Sequence, residues 1–412
     1  MAAPPALRSV DEHLRHVLDA VTPLAPYDQP LLDAIGLPVC EDVISAIDLP
    51  RFSNSAMDGY AVRREDVAGA SEQRPIHLPV VGESAAGSAK PYAMAPGTCL
   101  RIMTGAPMPS GADAVVPVEW TNQGRAQVQI TRCPEAQEHV RAVGEDVKEG
   151  ELVLAQGAVI GARQVGLLAS VGRPQVRARP RPRVVVLSTG NELRDPGGAL
   201  GFDSIYDSNS YMLAAAVKAS GAIAYRVGLV SDDPQAFTDA LSDQLVRADV
   251  VVTSGGVSKG DYDVVKDVLG RLGTVEFCEV AMQPGKPQGL GHVGEDRTPI
   301  FTLPGNPVSA FVSFEVFVLP ALRRMMGRLP YRRPLVQAML TQDLATAPGR
   351  RQYVRAEFKV TPRGATVTPV GAQGSHLIGD LAHANSLLLV PEDETSLGLG
   401  DTGNVLVLDR DF

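Results

Sequence analysis

Three short segments rich in glycine and hydroxyl side chains carry the clearest chemical signal in the sequence. They are 188–193 (STGNEL), 253–261 (TSGGVSKGD) and 303–309 (LPGNPVS). Glycine lets backbone N–H groups approach an anion closely, and hydroxyl groups add further donors. Each segment alone is equally consistent with an ordinary turn between a strand and a helix. Three of them after predicted strands of one sheet favour a shared anion-binding site.

Charged residues in and near these segments fit the same chemistry. Glu192 and Asp261 lie inside two of the segments, and carboxylates beside an anion commonly hold a divalent cation or bond a nucleotide. Asp261 could instead cap the helix that follows it. Lys286 is held in a PGKP turn in a chain with seven lysines and 31 arginines, so it is a candidate point-charge donor to an anion. The alternative for Lys286 is an ordinary surface lysine.

Alternating apolar runs and capping signals predict the elements that position these segments. Strands are expected at 184–187, 223–229, 250–253, 274–280 and 300–303, with helices at 209–220, 234–247, 264–272 and from 307 onward. Asp233 and Pro234 are the expected N-cap and first residue of the second of these helices. Strands and helices that alternate in this way are typical of a parallel, doubly wound α/β sheet. Ligands of such sheets bind beyond the carboxyl ends of the strands, where the three segments lie.

The flanking sequence predicts β-rich regions and two N-terminal helices. Ser9 and Glu12 have the spacing of a capping box before a helix with apolar residues at helical intervals. A short helix is expected at 31–36, and the Arg/Pro-rich run 173–183 is interpreted as a linker, with a basic patch as the alternative. Short strands are expected at 76–81, 99–103, 114–118, 127–130, 336–340, 353–360, 387–390 and 405–408.

Composition excludes several classes of protein. The 412 residues carry a formal net charge of -9, which argues against a nucleic-acid-binding surface. Cys40, Cys99, Cys133 and Cys278 form no Cys-x-x-Cys pair, so we expect no zinc or iron–sulfur site. The start of the chain lacks the pattern of a signal peptide, and the longest apolar stretch, 308–322, is too short to span a bilayer. We therefore expect a cytoplasmic protein.

The ordered set of motifs resembles the molybdopterin molybdenumtransferase family, which inserts molybdate into adenylylated molybdopterin and is related to the C-terminal part of gephyrin. The shared motifs cover nearly the whole chain: NSAMDGYA at 54–61, RIMTGAPMP at 101–109, GADAVVPVE at 111–119, GEDVKEG at 144–150, LSTGNEL at 187–193, DSN at 207–209, SGGVSKGDYD at 254–263, PGKP at 284–287 and LPGNPVS at 303–309. Each motif is weakly specific alone, whereas the ordered set is highly specific.

The resemblance implies a multidomain α/β fold with a doubly wound molybdopterin-binding domain. The implied parts are an elongated N-terminal region at 1–46 and 141–177, a β-rich insertion at 47–140, the α/β domain at 178–328 and a C-terminal β domain at 329–412. It also implies a homodimer in which the insertion of one subunit faces the α/β domain of the other, so that the site is shared. Implied partners are a molybdopterin adenylyltransferase and molybdoenzymes, with no nucleic acid and no membrane.

The resemblance also implies roles for individual residues. Its catalytic positions are Asp58, Thr104, Asp146, Glu192, Asp232 and Asp261, of which Asp58, Asp232 and Asp261 would hold Mg2+. Positions implied to bind adenylylated molybdopterin or molybdate are Thr189, Gly190, Ser208, Gly255, Gly256, Ser258, Lys286, Pro304, Pro307, Ser309, Arg350 and Ser375. Two positions depart from the family pattern. Gln283 replaces a second lysine common before the PGK turn, and His376 replaces a glycine common after Ser375.

The implied reaction cleaves the pyrophosphate link, releases AMP and leaves molybdenum on the dithiolene. A molybdate oxygen could attack the phosphate, so no nucleophilic side chain is required. One alternative is a molybdopterin adenylyltransferase, which would share the glycine segment at 255–261 but would need neither the insertion nor the C-terminal β domain. A non-catalytic, gephyrin-like scaffold is the other alternative. The presence of Asp58, Glu192, Asp261 and Lys286 disfavours the scaffold.

Overall fold

A computed structural model describes residues 7–87, 92–255, 264–271, 274–410 and 412. The chain divides into two compact units. The smaller unit comprises Asp28–Ile35 and Val39–Arg177, and the larger unit comprises Met1–Tyr27, Gly36–Pro38 and Ala178–Phe412. Within the described part of the chain, no helix combines the length and the apolar character needed to cross a membrane. The finer four-part division expected from the sequence stays a prediction.

A six-stranded sheet lies at the centre of the larger unit. Its strands, in spatial order, are Ile223–Arg226, Arg183–Ser188, Val250–Ser254, Thr298–Leu303, Pro287–Val293 and Val275–Glu279. The first four strands are parallel, and Pro287–Val293 runs antiparallel to both neighbours. The chain winds to one side of Arg183–Ser188 and then returns on its other side. This reversal opens a crevice at the carboxyl ends of Arg183–Ser188 and Val250–Ser254.

Alternate residues of the central strands face two separate cores. Val184 and Val186 pack in one cluster, whereas Val185 and Leu187 pack in another. Helices cover both faces, as the doubly wound α/β prediction requires, and that prediction is confirmed. The helices of the larger unit are Val10–Ala20, Asn209–Ala219, Pro234–Leu245, Val264–Arg271, Pro307–Ser313 (continued by a π-helical turn, Phe314–Val318, and by Leu319–Met326) and Ile378–His383.

One strand of the sheet, Pro287–Val293, was not predicted from the sequence, and it runs antiparallel to both neighbours in a sheet that was expected to be parallel. This strand contains glycines where a buried strand normally has β-branched residues. A Cβ atom on Gly291 would lie 2.1 Å from the carbonyl oxygen of Thr274, and one on Gly289 would lie 2.8 Å from the Phe277 ring. Close approach of the neighbouring strand therefore requires glycine, which removes the apolar alternation that identifies a strand.

Both predicted helix caps that can be examined are confirmed. Ser9 Oγ accepts a hydrogen bond from the Glu12 N–H, and the Glu12 carboxylate accepts one from the Ser9 N–H. Asp233 Oδ1 accepts hydrogen bonds from the backbone N–H groups of Gln235 and Ala236. These contacts satisfy donors that a helix leaves without intrahelical partners at its first turn.

A closed barrel forms the C-terminal part of the larger unit. Its strands are Leu335–Leu340, Arg351–Thr361, Gly364–Pro369, Ser386–Val390 and Thr402–Val407. The barrel closes because Ser386–Val390 pairs with both Thr402–Val407 and Arg351–Thr361. Met282–Gln283 adds to Arg351–Thr361 in parallel, which attaches the turn carrying Lys286 to the barrel. The predicted strands here are confirmed, and Gly364–Pro369 is an additional one.

The smaller unit contains a five-stranded sheet and several short elements. The sheet order is Ala114–Pro117, Gly59–Val62, Cys99–Ile102, Ile76–Ser84 and Gln127–Ile130, which confirms the four strands predicted for this region. Gly59–Val62, which begins within the NSAMDGYA motif, was not predicted. The other short elements of the chain are Tyr27–Pro30, Val43–Ile44, Asn54–Ser55, Arg64–Val67, Val118–Trp120, Val140–Arg141, Leu152–Leu154, Ala162–Ser170, Gln175–Ala178, Leu193–Arg194, Ile205–Tyr206, Leu344–Ala345 and Ser396–Leu397.

Two expectations for the N-terminal half are wrong. Residues 31–36 form successive turns and not a helix, because the chain takes a left-handed conformation at Gly36 (φ of +80°) before a second helical turn can form. The run interpreted as a linker contains the strand Gln175–Ala178, in which Val176 and Ala178 are buried. Because the run is rich in arginine and proline, its short alternation of exposed and buried residues was not recognised as a strand.

His13 is a buried titratable residue on the N-terminal helix. Its ring packs edge-on against Phe317 with centroids 4.6 Å apart, and its Nδ1 lies 3.4 Å from Arg8 Nη1 and 3.7 Å from Cys278 Sγ. Burial, together with the positive charge of Arg8, lowers the pKa of His13 to about 4. The folded protein therefore keeps His13 neutral at pH values where the unfolded chain binds a proton.

This difference predicts a loss of stability in mild acid. Between pH 7 and pH 5, proton binding to His13 in the unfolded state should lower the free energy of unfolding by about 2 kcal/mol. Urea denaturation of the wild type and of His13→Phe at both pH values measures this contribution. Between pH 7 and pH 5, we expect His13→Phe to lose about 2 kcal/mol less stability than the wild type loses. His16→Gln, which alters the half-exposed neighbouring histidine, is the control. Equal losses in wild type and His13→Phe would contradict the assignment.

Candidate functional site

The described parts of the three glycine segments converge at one edge of the central sheet. Ser188 pairs with Ser254, and Ser254 pairs with Leu303, so the three segments leave adjacent parallel strands at the same level. Gly255 has φ of +91°, and a Cβ atom there would lie 3.4 Å from the carbonyl oxygen of Thr189. A Cβ atom on Gly305 would lie 3.5 Å from Gly255 Cα. Gly256, Ser258 and Asp261 lie outside the described residues.

Asn209 joins two of the three segments. Its Nδ2 group donates hydrogen bonds to Ser254 Oγ at 2.8 Å and to the carbonyl oxygen of Gly305 at 2.6 Å. Its Oδ1 atom is buried and accepts no hydrogen bond from the described residues. Asn209 belongs to the DSN motif of the sequence but had no predicted role. The signal in the sequence that could have identified this role is a polar residue that begins a helix directly after Asp207 and Ser208.

Asp207, two residues before Asn209, holds the first segment through a hydrogen bond to Ser188. Asp207 is almost fully buried and accepts hydrogen bonds from Ser188 Oγ at 3.3 Å and from the Ser210 N–H at 3.0 Å. The Ser210 hydroxyl also donates to this carboxylate. These hydrogen bonds hold the end of the strand Arg183–Ser188 against the start of the helix Asn209–Ala219. Ser208, a predicted ligand-binding residue, is exposed between Asp207 and Asn209.

Glu192 and Asp232 both lie at the first segment. The two carboxylate oxygens of Glu192, which is exposed, lie 2.8 Å from the position that a Cβ atom on Gly190 would occupy. Asp232 Oδ2 accepts a hydrogen bond from the Asn191 N–H at 2.9 Å, and the Asp232 N–H donates to Asn191 Oδ1 at 3.2 Å. Asp232 thus uses one carboxylate oxygen to hold the segment that carries Glu192.

Lys286 is presented by a turn that packs on the helix Pro307–Ser313. Gln288 Nε2 donates to the carbonyl oxygen of Gly285 at 2.6 Å and to Ser313 Oγ at 2.7 Å. Ser313 lies one helical turn after Ser309, so the Lys286 turn and Ser309 share one helix. Lys286 Nζ lies 2.7 Å from Glu279 Oε2, and both side chains are partly exposed. The structure therefore pairs the predicted anion-binding lysine with a carboxylate.

Ser375 lies at the N-terminus of that helix. The Val308 N–H donates to the carbonyl oxygen of Ser375 at 3.1 Å, and Asn306 Nδ2 donates to Ser375 Oγ at 3.0 Å. Pro307 is the first helical residue and needs no hydrogen-bond acceptor there. Asn306 belongs to the third glycine segment but had no predicted role. The helix N-terminus carries a partial positive charge, which makes this hydroxyl-lined position suited to an anion.

The remaining predicted residues of the larger unit lie near these elements. The buried Pro304 accepts a hydrogen bond at its carbonyl oxygen from Ser254 Oγ at 3.4 Å. Arg350 is partly exposed and precedes the barrel strand, whose first two residues pair with Met282 and Gln283. The exposed His376 follows Ser375 without altering the contacts of Ser375 with Asn306 and Val308.

Asp58 and Thr104 meet in the smaller unit although 46 positions separate them. Asp58 Oδ1 accepts hydrogen bonds from the Thr104 N–H at 2.7 Å and from Thr104 Oγ1 at 2.9 Å. These two hydrogen bonds hold the pKa of the exposed Asp58 carboxyl below its usual value. A Cβ atom on Gly59 would lie 2.1 Å from the carbonyl oxygen of Val116, so glycine is required beside Asp58.

Asp146 does not join this pair among the described contacts. Its backbone N–H donates to the carbonyl oxygen of Leu49 at 2.9 Å, and its side chain is exposed. The motif carrying Asp146 is therefore attached to the chain five residues before Asn54 of the NSAMDGYA motif. Its predicted catalytic role stays a prediction.

The Asp58–Thr104 contact predicts a measurable change in acidity. In Thr104→Ala the carboxylate loses the hydroxyl donor and keeps the backbone donor, so the pKa of Asp58 should rise toward its ordinary value. A carbon-detected NMR titration of the Asp58 carboxyl measures this shift. Thr98→Ala, which alters another exposed threonine whose hydroxyl donates to a carbonyl oxygen, should leave the Asp58 pKa unchanged. An unshifted Asp58 in Thr104→Ala would refute the role of the hydroxyl.

Carboxylates at the first segment are candidate ligands for the predicted magnesium ion. No group of three or more His, Cys, Asp or Glu side chains that could hold a metal ion occurs in the described ranges. Mg2+ usually keeps several waters and binds one or two carboxylates together with substrate phosphates, so a preformed cage is not required. The exposed carboxylate of Glu192 and the neighbouring Asp232 supply such donors at the first segment. The predicted ligand Asp58 belongs to the smaller unit.

Comparison with known proteins covers nearly the whole chain. Residues 8–172 match a family model described as MoeA N-terminal region (domain I and II). Residues 185–324 match one described as a probable molybdopterin binding domain, and residues 337–408 match one described as MoeA C-terminal region (domain IV). These three matches occur in the order in which the motifs run along the sequence.

Curated relatives and a solved structure agree with these models. A protein of Mycobacterium tuberculosis named molybdopterin molybdenumtransferase 2 is 46% identical, over 96% of this chain and 98% of that protein. A molybdopterin molybdenumtransferase of Haemophilus influenzae is 36% identical, over 90% of this chain and 91% of its own length. The crystal structure of a molybdopterin biosynthesis MoeA protein from Pyrococcus horikoshii superposes with a TM-score of 0.82 at 30% identity, covering 98% of this chain and 100% of that one.

Proposed function

Because the chain belongs to the molybdopterin molybdenumtransferase family, we propose that it inserts molybdenum from molybdate into adenylylated molybdopterin and releases AMP. The observation that carries this proposal is the convergence of Thr189, Gly255 and Gly305 at the reversal of the central sheet. Such a crevice is where doubly wound sheets bind phosphorylated ligands. Because glycine has no side chain, a phosphate group can approach the backbone closely at Gly255 and Gly305.

The pterin nucleotide would bind across this crevice. Thr189, Gly190, Gly256 and Ser258 would donate backbone and hydroxyl hydrogen bonds to its phosphates. The N–H of Gly255 donates to the carbonyl oxygen of Leu303 at 3.1 Å, so this glycine would contribute close approach of the ligand to the backbone. Mg2+, when bound by Glu192 and Asp232, would neutralise the charge of the pyrophosphate. Asp58 and Asp261 are the further ligands that the family resemblance implies. Asn209 would hold the second and third segments at a fixed separation around the ligand.

Molybdate would bind at the start of the helix Pro307–Ser313. The dianion would meet the helix N-terminus, the hydroxyls of Ser309 and Ser375, and the cationic side chains of Lys286 and Arg350. A molybdate oxygen would then attack the adenylyl phosphorus, and the P–O bond to the pterin phosphate would break. The two thiol groups of the dithiolene would then lose their protons and bond to molybdenum, whose coordination number would rise, and the Mo–O bond to the adenylyl group would break, so that the bridging oxygen leaves with AMP. Positioning and charge neutralisation are the main requirements of such a phosphoanhydride cleavage.

We extend the proposal to assembly and location. The chain would act as a homodimer in the cytoplasm, with Asp58 and Thr104 of one subunit completing the site of the other. It would receive substrate from a molybdopterin adenylyltransferase and deliver product to molybdoenzymes. Mixing an Asp58→Asn subunit with a Glu192→Gln subunit tests the shared site, because the mixture should regain activity that both variants lack alone. A mixture that stays inactive would refute sharing.

The central test is AMP release by the purified protein. We expect AMP to appear when adenylylated molybdopterin, Mg2+ and molybdate are all present, and expect little AMP without molybdate. A protein that consumes ATP and molybdopterin and releases pyrophosphate would instead be an adenylyltransferase. One that binds molybdopterin without turnover would be a scaffold. The matches at 8–172 and 337–408 favour the first outcome, because the adenylyltransferase alternative requires neither region.

A further inference from the structure

Arg355 is a buried arginine whose guanidinium group contacts one segment of backbone. It lies on the barrel strand Arg351–Thr361 and is only 4% exposed. Its Nη1 atom donates to the carbonyl oxygen of Gly374 at 2.8 Å and lies 3.5 Å from that of Leu377. Its Nη2 atom donates to the carbonyl oxygen of Ala372. One side chain therefore spans three carbonyl groups within six residues.

The segment that Arg355 holds carries Ser375. Residues 371–377 contain a turn at 375–376 and otherwise have no regular secondary structure. On the side of the segment that faces the helix, the Ser375 carbonyl accepts from Val308 N–H and its hydroxyl accepts from Asn306 Nδ2. Ser375 is thus fixed between the Arg355 guanidinium, acting on the carbonyl of the preceding residue, and the N-terminus of the helix.

We propose that Arg355 is a positioning residue that sets Ser375, and through it Asn306, for binding of a tetrahedral oxyanion at this helix N-terminus. The inference rests on the proposed function, for which the oxyanion is molybdate. A planar guanidinium with several fixed donors can bridge three carbonyl oxygens, whereas an ammonium group acts as a single point charge. Arg355 does not contact the anion, and it acts only through the backbone of 372–377.

The nearest carboxylate does not replace these contacts. Asp380 Oδ2 lies 3.9 Å from Arg355 Nη2, beyond hydrogen-bond distance. The principal partners of the guanidinium are therefore the carbonyl groups of the 372–377 segment. Shortening or replacing this side chain should release the segment without removing a charge partner from the anion site.

Two variants and one control test the proposal. Arg355→Lys keeps the charge and loses the planar donors, Ser375→Ala removes the hydroxyl itself, and Arg363→Lys alters an exposed arginine in the Thr361–Gly364 turn of the same barrel. We expect Arg355→Lys and Ser375→Ala to raise the KM for molybdate about tenfold, with less than a twofold change in the KM for adenylylated molybdopterin. Arg363→Lys should change neither constant.

Hydrogen exchange separates positioning from general loss of stability. Amides of 372–377 should exchange faster in Arg355→Lys, while amides of the strand Ser386–Val390 should exchange as in the wild type. Unchanged exchange of 372–377 would overturn the positioning role. Unchanged molybdate KM in a variant with faster exchange would overturn the link to the anion. If Arg355→Lys fails to fold, an unaltered molybdate KM in Ser375→Ala overturns the proposal, since Arg355 would have nothing to position.

A calorimetric titration keeps this inference separate from the proposed function. If the wild type releases no AMP, the proposed function fails, and sodium molybdate titrated into wild type and Arg355→Lys still tests the anion site. Weaker molybdate binding by the variant would support the positioning role. Equal affinity, or no binding by the wild type, would overturn it.

Discussion

Asn209→Ala should reduce kcat/KM for AMP release about 100-fold without unfolding the protein. The substitution removes the hydrogen bonds that Nδ2 donates to Ser254 Oγ and to the Gly305 carbonyl. Both acceptors lie in segments that we propose to surround the pterin nucleotide. A shift of about 1 Å in either segment would misplace the phosphate donors relative to the reacting phosphorus.

Asn209→Asp provides the matched control for this prediction. It preserves the size of the side chain but replaces the Nδ2 donor with an acceptor, so it should lose activity at least as strongly as Asn209→Ala. Thermal unfolding of both variants should remain within a few degrees of the wild type, because each loses about two hydrogen bonds at the surface end of the sheet. Full activity in Asn209→Ala would remove this residue from the site.

Lys286→Met should raise the KM for molybdate roughly 10- to 100-fold. A hydrogen bond from a cationic side chain to an anion contributes about 1.5–3 kcal/mol, which corresponds to this range. The turn itself should survive the change, because Gln288 holds the Gly285 carbonyl independently of the Lys286 side chain. Initial rates of AMP release at varied molybdate concentrations measure the effect. The KM for adenylylated molybdopterin should change much less.

The ion pair of Lys286 with Glu279 adds a second, opposite prediction to this experiment. Molybdate must compete with the Glu279 carboxylate, which lies 2.7 Å from Lys286 Nζ. Glu279→Gln should therefore lower the KM for molybdate, whereas Lys286→Met raises it. Lys218→Met, which alters an exposed lysine in the last turn of Asn209–Ala219, serves as the charge-matched control. An unchanged molybdate KM in Lys286→Met would exclude Lys286 from the anion site.

The sequence predicted elements well wherever local signals were strong. The capping box at Ser9 and the Asp233 cap produced correct helix starts, and the apolar runs at 184–187 and 250–253 produced correct strands. The three glycine segments were predicted to share one edge of the sheet, and their described parts do. These features depend on a few neighbouring residues, so local patterns were sufficient to identify them.

Features that depend on distant contacts were not predicted. The strand Pro287–Val293 needs glycine because its neighbours approach closely, and close approach is not visible in a linear pattern. The roles of Asn209 and Arg355 arise from bonds to segments that are 96 and about 20 residues away. The pairing of Lys286 with Glu279 likewise depends on how the turn packs. The family resemblance implied that Asp58 and Thr104 belong to one site, but their hydrogen bonds to each other were not predicted.

The departures from the family pattern also gain a structural context. Gln283 belongs to the short strand that pairs in parallel with the barrel, and its register partner is Gln352. Position 283 of this chain therefore has a neutral side chain, where a lysine is common in the family, on a short strand that pairs with the barrel. His376 is exposed, and the neighbouring Ser375 accepts a hydrogen bond from Asn306.

The most direct test of the proposed function is the metal content of the pterin product. After reaction with adenylylated molybdopterin, Mg2+ and molybdate, the pterin fraction would be separated and its molybdenum measured by mass spectrometry with inductively coupled plasma. We predict one molybdenum per pterin and one AMP released per molybdenum incorporated. A pterin fraction without molybdenum, in a reaction that releases AMP, would contradict insertion and reduce the activity to hydrolysis.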